Sequence, residues 1–376
     1  MTATTLSARE DTHWWRETVR LTKEAHRALE PAGRAAYRLG DITLEIDSTY
    51  RPLLDGLQDA YGDCAVETGT GHAGGPVTCR ARVVGDLVAL EFEVAANIPH
   101  LCAVGATVLR PRAELQHFAV RPLEVPGWQL LADERDENAP LLAADARTVL
   151  FSPEVEPPDF LLNFVVAVAQ LAQQSVMFVH SGGVSIGGLG TLIVGRSGHG
   201  KSTTTAALAG RSHPFFGDET VGIRLQSREL LAFRRTIKFR PGPRSEAVVA
   251  RLGVAPYKIR KDAGGVDCVW VPSSILFPAS PTPIDAPLHS VFFLRRFSDC
   301  AATEPFVPSL GDHLDELQPL TMTLSAIASW PFSPAQRVMR FARIADLFSK
   351  CRCYFLDLGT PDETAMLIER TVLDNA

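Results

Sequence analysis

The chain has 376 residues, of which 46% are hydrophobic and 21% are charged, a composition typical of a globular protein that excludes an intrinsically disordered one. This length favours two domains and allows a substantial core. The formal net charge of −6 argues against nucleic acid as a main partner, because a protein that binds nucleic acid needs a basic face.

Seven cysteines are spread along the chain, and this odd number does not indicate a disulfide framework. The first residues, MTATTLSAREDTHWWRE, are polar and charged and lack the apolar segment of a signal peptide. Together these features predict a reducing, ATP-containing cytoplasm as the compartment.

The N-terminal region is predicted to form a small α+β domain. Helical periodicity predicts helices over residues 13–29 and 50–61. Segments with strand character are separated by Gly, Pro and Asp clusters and lie at residues 37–46, 77–84, 87–94 and 102–109. Prolines between residues 153 and 158 interrupt the pattern, so the predicted domains are residues 1–152 and 153–376. Because the first domain shows no catalytic cluster, we expect it to bind a substrate or partner, or to regulate.

A strongly apolar segment opens the second domain at residues 160–174. It is too short for a membrane span and is interrupted by Asn163, Gln170, Gln173 and Gln174. We therefore expect no membrane contact and interpret it as a buried helix that leads into a strand at residues 176–179.

A phosphate loop is predicted next, because residues 195–202 (GRSGHGKS) fit the pattern G-x-x-x-x-G-K-[ST] between an apolar strand at 191–194 and a helix that begins at Lys201. Glycines let backbone N–H groups approach phosphate oxygens, the lysine supplies a charge, and the hydroxyl of Ser202 can bind Mg²⁺. We predict an α/β domain that binds ATP and Mg²⁺. The residues predicted to bind ATP here are Gly195, Arg196, Ser197, Gly198, His199, Gly200, Lys201, Ser202 and Thr203.

An acidic pair, Asp218-Glu219, follows Lys201 by only seventeen residues. A short helix and a return strand would bring the pair beside the phosphates, where Asp218 could act as a general base or metal ligand and Glu219 as a metal ligand. The alternative is a surface turn, since Gly-Asp is common in turns.

Positive charge is concentrated after this pair, in an otherwise acidic chain. Lys238 and Arg240 share one face of a strand-like segment and could steady a transferring phosphate or an acidic substrate. A solvated strand edge decorated with charge is the alternative. Further elements are predicted as a loop at 261–265, strands at 289–294 and 351–356, and helices at 335–349 and 361–373.

The order of His180, a strand, a glycine loop and an acidic pair resembles the kinase domain of HPr kinase/phosphorylase, whose wider kin share a phosphoenolpyruvate-carboxykinase-like fold. The resemblance covers roughly residues 160–240. It implies that Asp218 deprotonates the acceptor hydroxyl, that Lys201 and Ser202 hold phosphate and metal, and that His180 lies beside the reacting phosphate. It is also compatible with a homo-oligomer.

Two features depart from the family pattern. The second acid is Glu219 rather than aspartate, which keeps a carboxylate but lengthens its reach. The family's Glu-[Leu/Ile]-Arg-Gly signature does not follow Val221. This second departure weakens the case for phosphorylase activity and for HPr as the substrate, and describes a divergent HPr-kinase-related protein.

These features favour an ATP-dependent kinase that transfers the γ-phosphoryl group to a hydroxyl of a peptide or protein Ser/Thr or of a small metabolite. One alternative is a carboxykinase-like phosphotransferase, although no cluster of His and Lys residues for a transition metal lies near the loop. The other is a nucleotide-gated binding module without catalysis, in which Asp218 and Glu219 are only structural.

Overall fold

The computed structural model describes most of the chain, and two compact units can be distinguished by their internal contacts. The first unit comprises residues 1–58, 65–174 and 326–332, and the second comprises 59–64, 175–325 and 333–376. The described residues are 19, 31–67, 76–84, 87–94, 101–102, 104–105, 118–123, 125–133, 140–151, 158–173, 175–196, 198–253, 258–261, 266–277, 285–306 and 334–376.

In the first unit, nine described strands form one sheet in the order β3-β1-β2-β4-β5-β9-β8-β7-β6. The strands are β1 Gly33–Leu39, β2 Ile42–Ser48, β3 Ala65–Val66, β4 Pro76–Val84, β5 Leu87–Glu93, β6 Phe118–Pro122, β7 Gln129–Asp133, β8 Pro140–Ala144 and β9 Thr148–Phe151. The helices are α1 Arg51–Tyr61, which begins in this unit, and α2 Pro158–Leu171. The ring of Phe164 on α2 packs against Phe92 and Phe151, at centroid distances of 6.0 and 5.1 Å.

Two strand predictions for this unit are wrong. The single strand predicted over residues 37–46 is a hairpin, because Gly40 adopts a φ of 69° and lets Leu39 pair directly with Ile42. The start of the strand predicted at 102–109 is helical instead, at residues 101, 102, 104 and 105. The helix predicted over 13–29 lies outside the described residues except for Val19, which is buried. The helix α2, expected in the second domain, is grouped with the first unit.

The second unit contains two sheets. In the larger of these, a mixed sheet, the described strands run in the order β10-β14-β15-β19-β12-β11-β13, with β21 paired to β19 and β20 to β21. A separate sheet has the described order β16-β18-β17. The strands are β10 Val176–Val179, β11 Gly182–Ile186, β12 Leu189–Val194, β13 Phe215–Gly217, β14 Val221–Arg224, β15 Glu229–Leu231, β16 Ile237–Phe239, β17 Lys258–Lys261, β18 Asp267–Val271, β19 Ala286–Phe297, β20 Ala302–Phe306 and β21 Arg352–Leu358. The helices are α3 Lys201–Ala209, α4 Pro243–Arg251, α5 Ser273–Leu276, α6 Pro334–Ser349 and α7 Pro361–Leu373.

The core of the second unit lies between this sheet and α3. Every residue of β12 after Leu189 is buried, and the apolar end of α3 packs with α7 and α4 around it. The strands β12, β19 and β21 run parallel to one another, so their carboxyl ends meet at one edge of the sheet. Ligands bind most often at this edge of an α/β sheet. Within the described ranges, every helix is too short or too polar to span a lipid bilayer.

The close approach of β11 to α3 generates a test of this packing. A Cβ added at Gly182 would lie 1.9 Å from the Thr205 Oγ1 and 2.9 Å from the Thr205 Cβ. We expect Gly182→Ala to lower the free energy of unfolding by about 1–3 kcal/mol, because the added atom overpacks this contact. Urea unfolding of Gly182→Ala, Thr205→Ala and the double variant measures the coupling between the two positions. The loss should be smaller in the Thr205→Ala background, and an equal loss in both backgrounds would contradict the packing.

Candidate functional site

The strand, glycine loop and helix predicted from the sequence are present in that order. The strand β12 ends at Val194 and α3 begins at Lys201. Gly198 and Gly200 adopt φ values of 81° and 87°, in the left-handed region where a side chain is strained, and Gly200 is the N-cap of α3. Because α3 begins at the loop, the positive end of its helix dipole is directed at the loop, as in sites that bind phosphate. Ser197 lies outside the described residues.

Lys201 is folded over the loop. Its Nζ donates to the backbone carbonyl oxygens of Gly195 at 2.7 Å and Arg196 at 3.2 Å. The residue is 7% exposed, and this burial lowers the pKa of the ammonium group, although the charges of Asp218 and Glu219 act in the opposite direction. The ammonium charge of Lys201 thus lies at the N-terminus of α3, beside the loop.

Asp218 is a buried acid rather than part of a surface turn. It directly follows β13 and is 2% exposed. A Cβ on Gly217 would lie only 2.4 Å from the Thr220 carbonyl oxygen, so the Gly-Asp pair marks a tightly packed strand end. Burial raises the pKa of Asp218 to about 6, and the charge of Glu219 adds to the rise.

The carboxylate of Asp218 has no complete hydrogen bond. Neither of its oxygens has a partner among the described residues. The Ser202 hydroxyl and the Glu219 N–H are close enough to counteract part of the pKa rise, but neither reaches bonding geometry. A buried carboxylate without partners is costly, which indicates that a ligand completes this site.

Two cations, Arg235 and Lys238, flank the carboxylate of Glu219. Its carboxylate lies 3.1 Å from the Arg235 Nη1 and 3.5 Å from the Lys238 Nζ. Burial alone would raise the pKa of Glu219, but the charges of Arg235 and Lys238 outweigh this effect and lower it to about 2. Its backbone has a φ of 66°, which is strained for a residue with a side chain. Strain of this kind is often found at functional sites.

His180 fixes the backbone of this strained residue. Its Nδ1 lies 2.8 Å from the Glu219 carbonyl oxygen. Because a carbonyl oxygen only accepts, Nδ1 carries a proton. Burial and the charge of Lys201 lower the pKa of His180, so the ring is neutral at pH 7 and its Nε2 is an acceptor.

A cavity of about 660 Å³ opens over the loop. It is lined by nine of the predicted site residues: His180, Gly198, Gly200, Lys201, Ser202, Thr203, Glu219, Lys238 and Arg240. Gly195, Arg196 and His199 do not line it, and Gly195 instead packs against Leu294. Asp218 does not line it either, since it is buried beside Ser202 and Glu219.

Four further residues line the cavity and were not predicted from the sequence: Phe297, Leu358, Pro361 and Thr364. The sequence signal that could have found them is the position of the first two at the ends of apolar strands that run parallel to β12. Arg244, which belongs to the basic segment, stacks its guanidinium carbon 4.2 Å from the Phe297 ring centroid.

The acidic pair fits Mg²⁺ better than a metal held by protein ligands alone. No group of three or more His, Cys, Asp or Glu residues could hold a metal ion within the part of the chain that the structure describes. Magnesium is usually bound by one or two carboxylates together with substrate phosphates. The unpartnered oxygens of Asp218, with Ser202 and Glu219 beside them, provide such a partial ligand set.

Comparisons with known proteins agree with the sequence resemblance. The chain is 37% identical over 114 residues to an HPr kinase/phosphorylase of Halalkalibacterium halodurans, which covers 30% of this chain and 33% of that protein. It is 34% identical over 114 residues to an HPr kinase/phosphorylase of Bacillus cereus, with the same coverage. The chain thus spans about a third of the length of these curated relatives. Over this segment the chain is similar to HPr kinase/phosphorylases.

No family model matches the chain. Among solved structures, the HPr(Ser) kinase/phosphatase of Coxiella burnetii aligns with a TM-score of 0.26 and 13% identity, covering 53% of this chain and 89% of that structure.

The charge coupling within the acidic pair can be tested directly. We expect Glu219→Gln to lower the pKa of Asp218 from about 6, because the negative charge of Glu219 contributes to the rise that burial causes. Carboxyl ¹³C NMR of aspartate-labelled protein measures this pKa, and Asp218→Asn assigns the signal. Glu304→Gln is the matched control, since Glu304 is paired with Arg295 and is not among the charges that act on Asp218. An unchanged pKa in Glu219→Gln would show that the two carboxylates are not coupled.

Proposed function

We propose that the chain is an ATP-dependent kinase with an HPr-kinase-like phosphate-loop domain, which transfers the γ-phosphoryl group of Mg·ATP to a hydroxyl. The acceptor is a peptide or protein Ser/Thr or a small hydroxy metabolite. The observation that carries this proposal is the buried Asp218, whose carboxylate has no partner and lies directly beside the Ser202 of the phosphate loop.

The loop and the start of α3 would bind the triphosphate. Gly198 and Gly200 have the left-handed backbone that turns N–H groups inward, and Lys201, Ser202 and Thr203 follow at the positive end of the helix. Lys201 already lies over the loop carbonyls and would exchange these contacts for β- and γ-phosphate oxygens.

Ser202, Asp218 and Glu219 are the residues that would hold Mg²⁺. When bound, the ion neutralises charge on the β- and γ-phosphates. The low pKa of Glu219, about 2, keeps this carboxylate ionised at all physiological pH values. Its contacts with Arg235 and Lys238 orient it toward the cavity.

Asp218 would act as the general base. A pKa of about 6 leaves it mostly ionised at pH 7, yet basic enough to accept a proton from a hydroxyl. The acceptor oxygen forms a bond to the γ-phosphorus as the bond to the β–γ bridging oxygen breaks, the hydroxyl proton passes to Asp218, and ADP leaves. His180, neutral at pH 7, fixes the backbone of the acidic pair through Glu219.

Two further cations would steady the transferring group. Lys238 and Arg240 both line the cavity, on one face at the end of β16. The Arg240 guanidinium reaches within 3.9 Å of the Cβ position of Gly198, at the phosphate loop. Fixed positive groups of this kind stabilise the charge of phosphoryl transfer. The domain at residues 1–152 is proposed to bind the substrate or a partner, or to regulate.

Removal of the base tests this proposal. We expect Asp218→Asn to reduce phosphoryl transfer by at least about 10²-fold, while ATP binding remains largely intact, because the variant keeps the phosphate loop but loses the proton acceptor. The assay is incubation with γ-labelled ATP and Mg²⁺ and a pool of Ser/Thr peptides and hydroxy metabolites. Asp346→Asn, which changes an exposed aspartate on α6, is the matched control.

The outcomes of this assay separate the competing functions. Label on one acceptor class, with wild type and the control only, supports the kinase and identifies the kind of acceptor. Normal turnover in Asp218→Asn would remove the base assignment. Binding of ATP without transfer of label in any variant would favour a nucleotide-gated binding module.

A further inference from the structure

Trp270, on the central strand of the sheet β16-β18-β17, lies against three positive side chains. The Lys238 Nζ is 4.4 Å from the centroid of the Trp270 ring, and the guanidinium carbons of Arg260 and Arg235 are 5.5 and 6.0 Å from it. Positive charges within about 6 Å of the face of an indole are attracted to it. The proposed function uses one of these cations, Lys238, and gives Trp270 no role.

The pairing of the strands explains why Lys238 meets this ring. Lys238 on β16 and Trp270 on β18 are directly opposite each other in an antiparallel pair, so their side chains share one face of the sheet. Trp270 is only 6% exposed, so water is largely excluded from the ring. The attraction between an ammonium group and an indole is strongest under such conditions.

Two acids divide the three cations between them. Arg260 is paired with Asp59. Arg235 and Lys238 instead contact the carboxylate of Glu219, at 3.1 and 3.5 Å. Of the three cations, Lys238 alone lines the cavity over the phosphate loop. Lys238 is therefore the cation through which this cluster reaches the cavity.

The flexibility of Lys238 explains why it needs such a support. A lysine ammonium is a point charge on a flexible four-carbon stem, and a charge that stabilises phosphoryl transfer must be held in place. Glu219 contacts the ammonium group at 3.5 Å, and the ring of Trp270 supports it at 4.4 Å. Trp270 does not line the cavity, so it would act on a bound nucleotide through Lys238 rather than by contact.

The indole N–H takes no part in this arrangement. The Trp270 Nε1 is buried and has no hydrogen-bond partner among the described residues. A buried donor without a partner is unfavourable, and a phenylalanine would offer an aromatic face without this donor. The face of the indole, which attracts cations more strongly than a phenyl ring, is thus what a tryptophan adds at this position.

We propose that Trp270 is the positioning residue for Lys238. Its ring holds the ammonium group at the cavity wall, in contact with Glu219, where the charge can meet the γ-phosphoryl group. This inference rests on the proposed function, because it takes Lys238 as a group that steadies the transferring phosphoryl. Trp270 does not itself contact the nucleotide.

The placement of the ammonium group is tested without any nucleotide. Protons above the face of an aromatic ring are shielded, so the ε-methylene protons of Lys238 should resonate upfield of the position typical of a solvated lysine. ¹H–¹³C NMR of the whole chain with labelled lysine measures this shift, and Lys238→Met assigns the signal. We expect the upfield shift to be lost in Trp270→Leu and to persist in Trp270→Phe, which keeps a ring. The wild-type signal decides this point even if Trp270→Leu is unstable.

The consequence for phosphate binding is measured with Mg·AMPPNP, an ATP analogue that keeps a γ-phosphate, and with Mg·ADP, which lacks one. Isothermal titration calorimetry gives the Kd of each ligand. We expect Trp270→Leu to weaken Mg·AMPPNP binding about tenfold and to leave Mg·ADP binding unchanged. Lys238→Met should show a loss at least as large, and adding Trp270→Leu to it should weaken binding no further, because both changes remove the same interaction. Trp270→Phe should retain most of the affinity.

Trp128→Leu is the matched control. Trp128 is a tryptophan of the first unit that is also buried, and its Nε1 likewise has no hydrogen-bond partner among the described residues. The same substitution there should leave the Lys238 signal and the Kd of both ligands unchanged, which separates the role of Trp270 from a general loss of packing.

Three results would overturn the role of Trp270: a wild-type Lys238 signal at the position of a solvated lysine, an equal loss for both ligands in Trp270→Leu, or additive losses in the double variant. None of these results removes the phosphate site of the proposed function, which stands as long as wild type binds Mg·AMPPNP. Failure of wild type to bind either nucleotide would instead overturn the phosphate site itself, and the role of Trp270 with it.

Discussion

The burial of the Asp218 carboxylate is the interaction on which the site depends. Moving a carboxylate out of water is costly unless charges or hydrogen bonds compensate for it, and here the Lys201 charge and the nearby Ser202 hydroxyl compensate only in part. The raised pKa of Asp218, about 6, reflects the part of the desolvation cost that these groups do not offset. Under the proposed function, a bound cation or a proton from the acceptor hydroxyl would offset this cost.

The surrounding residues shift the pKa values of the two adjacent acids in opposite directions, upward for Asp218 and downward for Glu219. Arg235 and Lys238 keep Glu219 ionised, whereas the pKa of Asp218, about 6, lies close to neutral pH. Two adjacent carboxylates whose environments drive their pKa values apart are typical of sites in which the two acids have different roles in proton transfer. The strained backbone of Glu219 and its bond to His180 keep the pair in this arrangement.

The parts of the site that are continuous in sequence could be predicted from it. The spacing of Gly195 to Ser202 between an apolar strand and a helix predicts a phosphate loop, because the whole motif lies in one short segment. Lys238 and Arg240 are two residues apart, which places both on one face of a strand. The hairpin at Gly40 was missed because strand periodicity alone does not reveal a two-residue turn. The contact of Phe297 with Gly200 joins residues far apart in sequence, and the burial of Asp218 depends on how β13 packs, so neither could be deduced from spacing.

The most direct test of the central claim is the pKa of Asp218 with and without Mg·ADP, followed by carboxyl ¹³C NMR. If Asp218 belongs to the metal–nucleotide site, the bound cation favours the ionised carboxylate, and the pKa must fall clearly below about 6. A pKa that stays at about 6, or rises, when Mg·ADP binds would contradict the account. It would make Asp218 a buried structural acid outside the reaction.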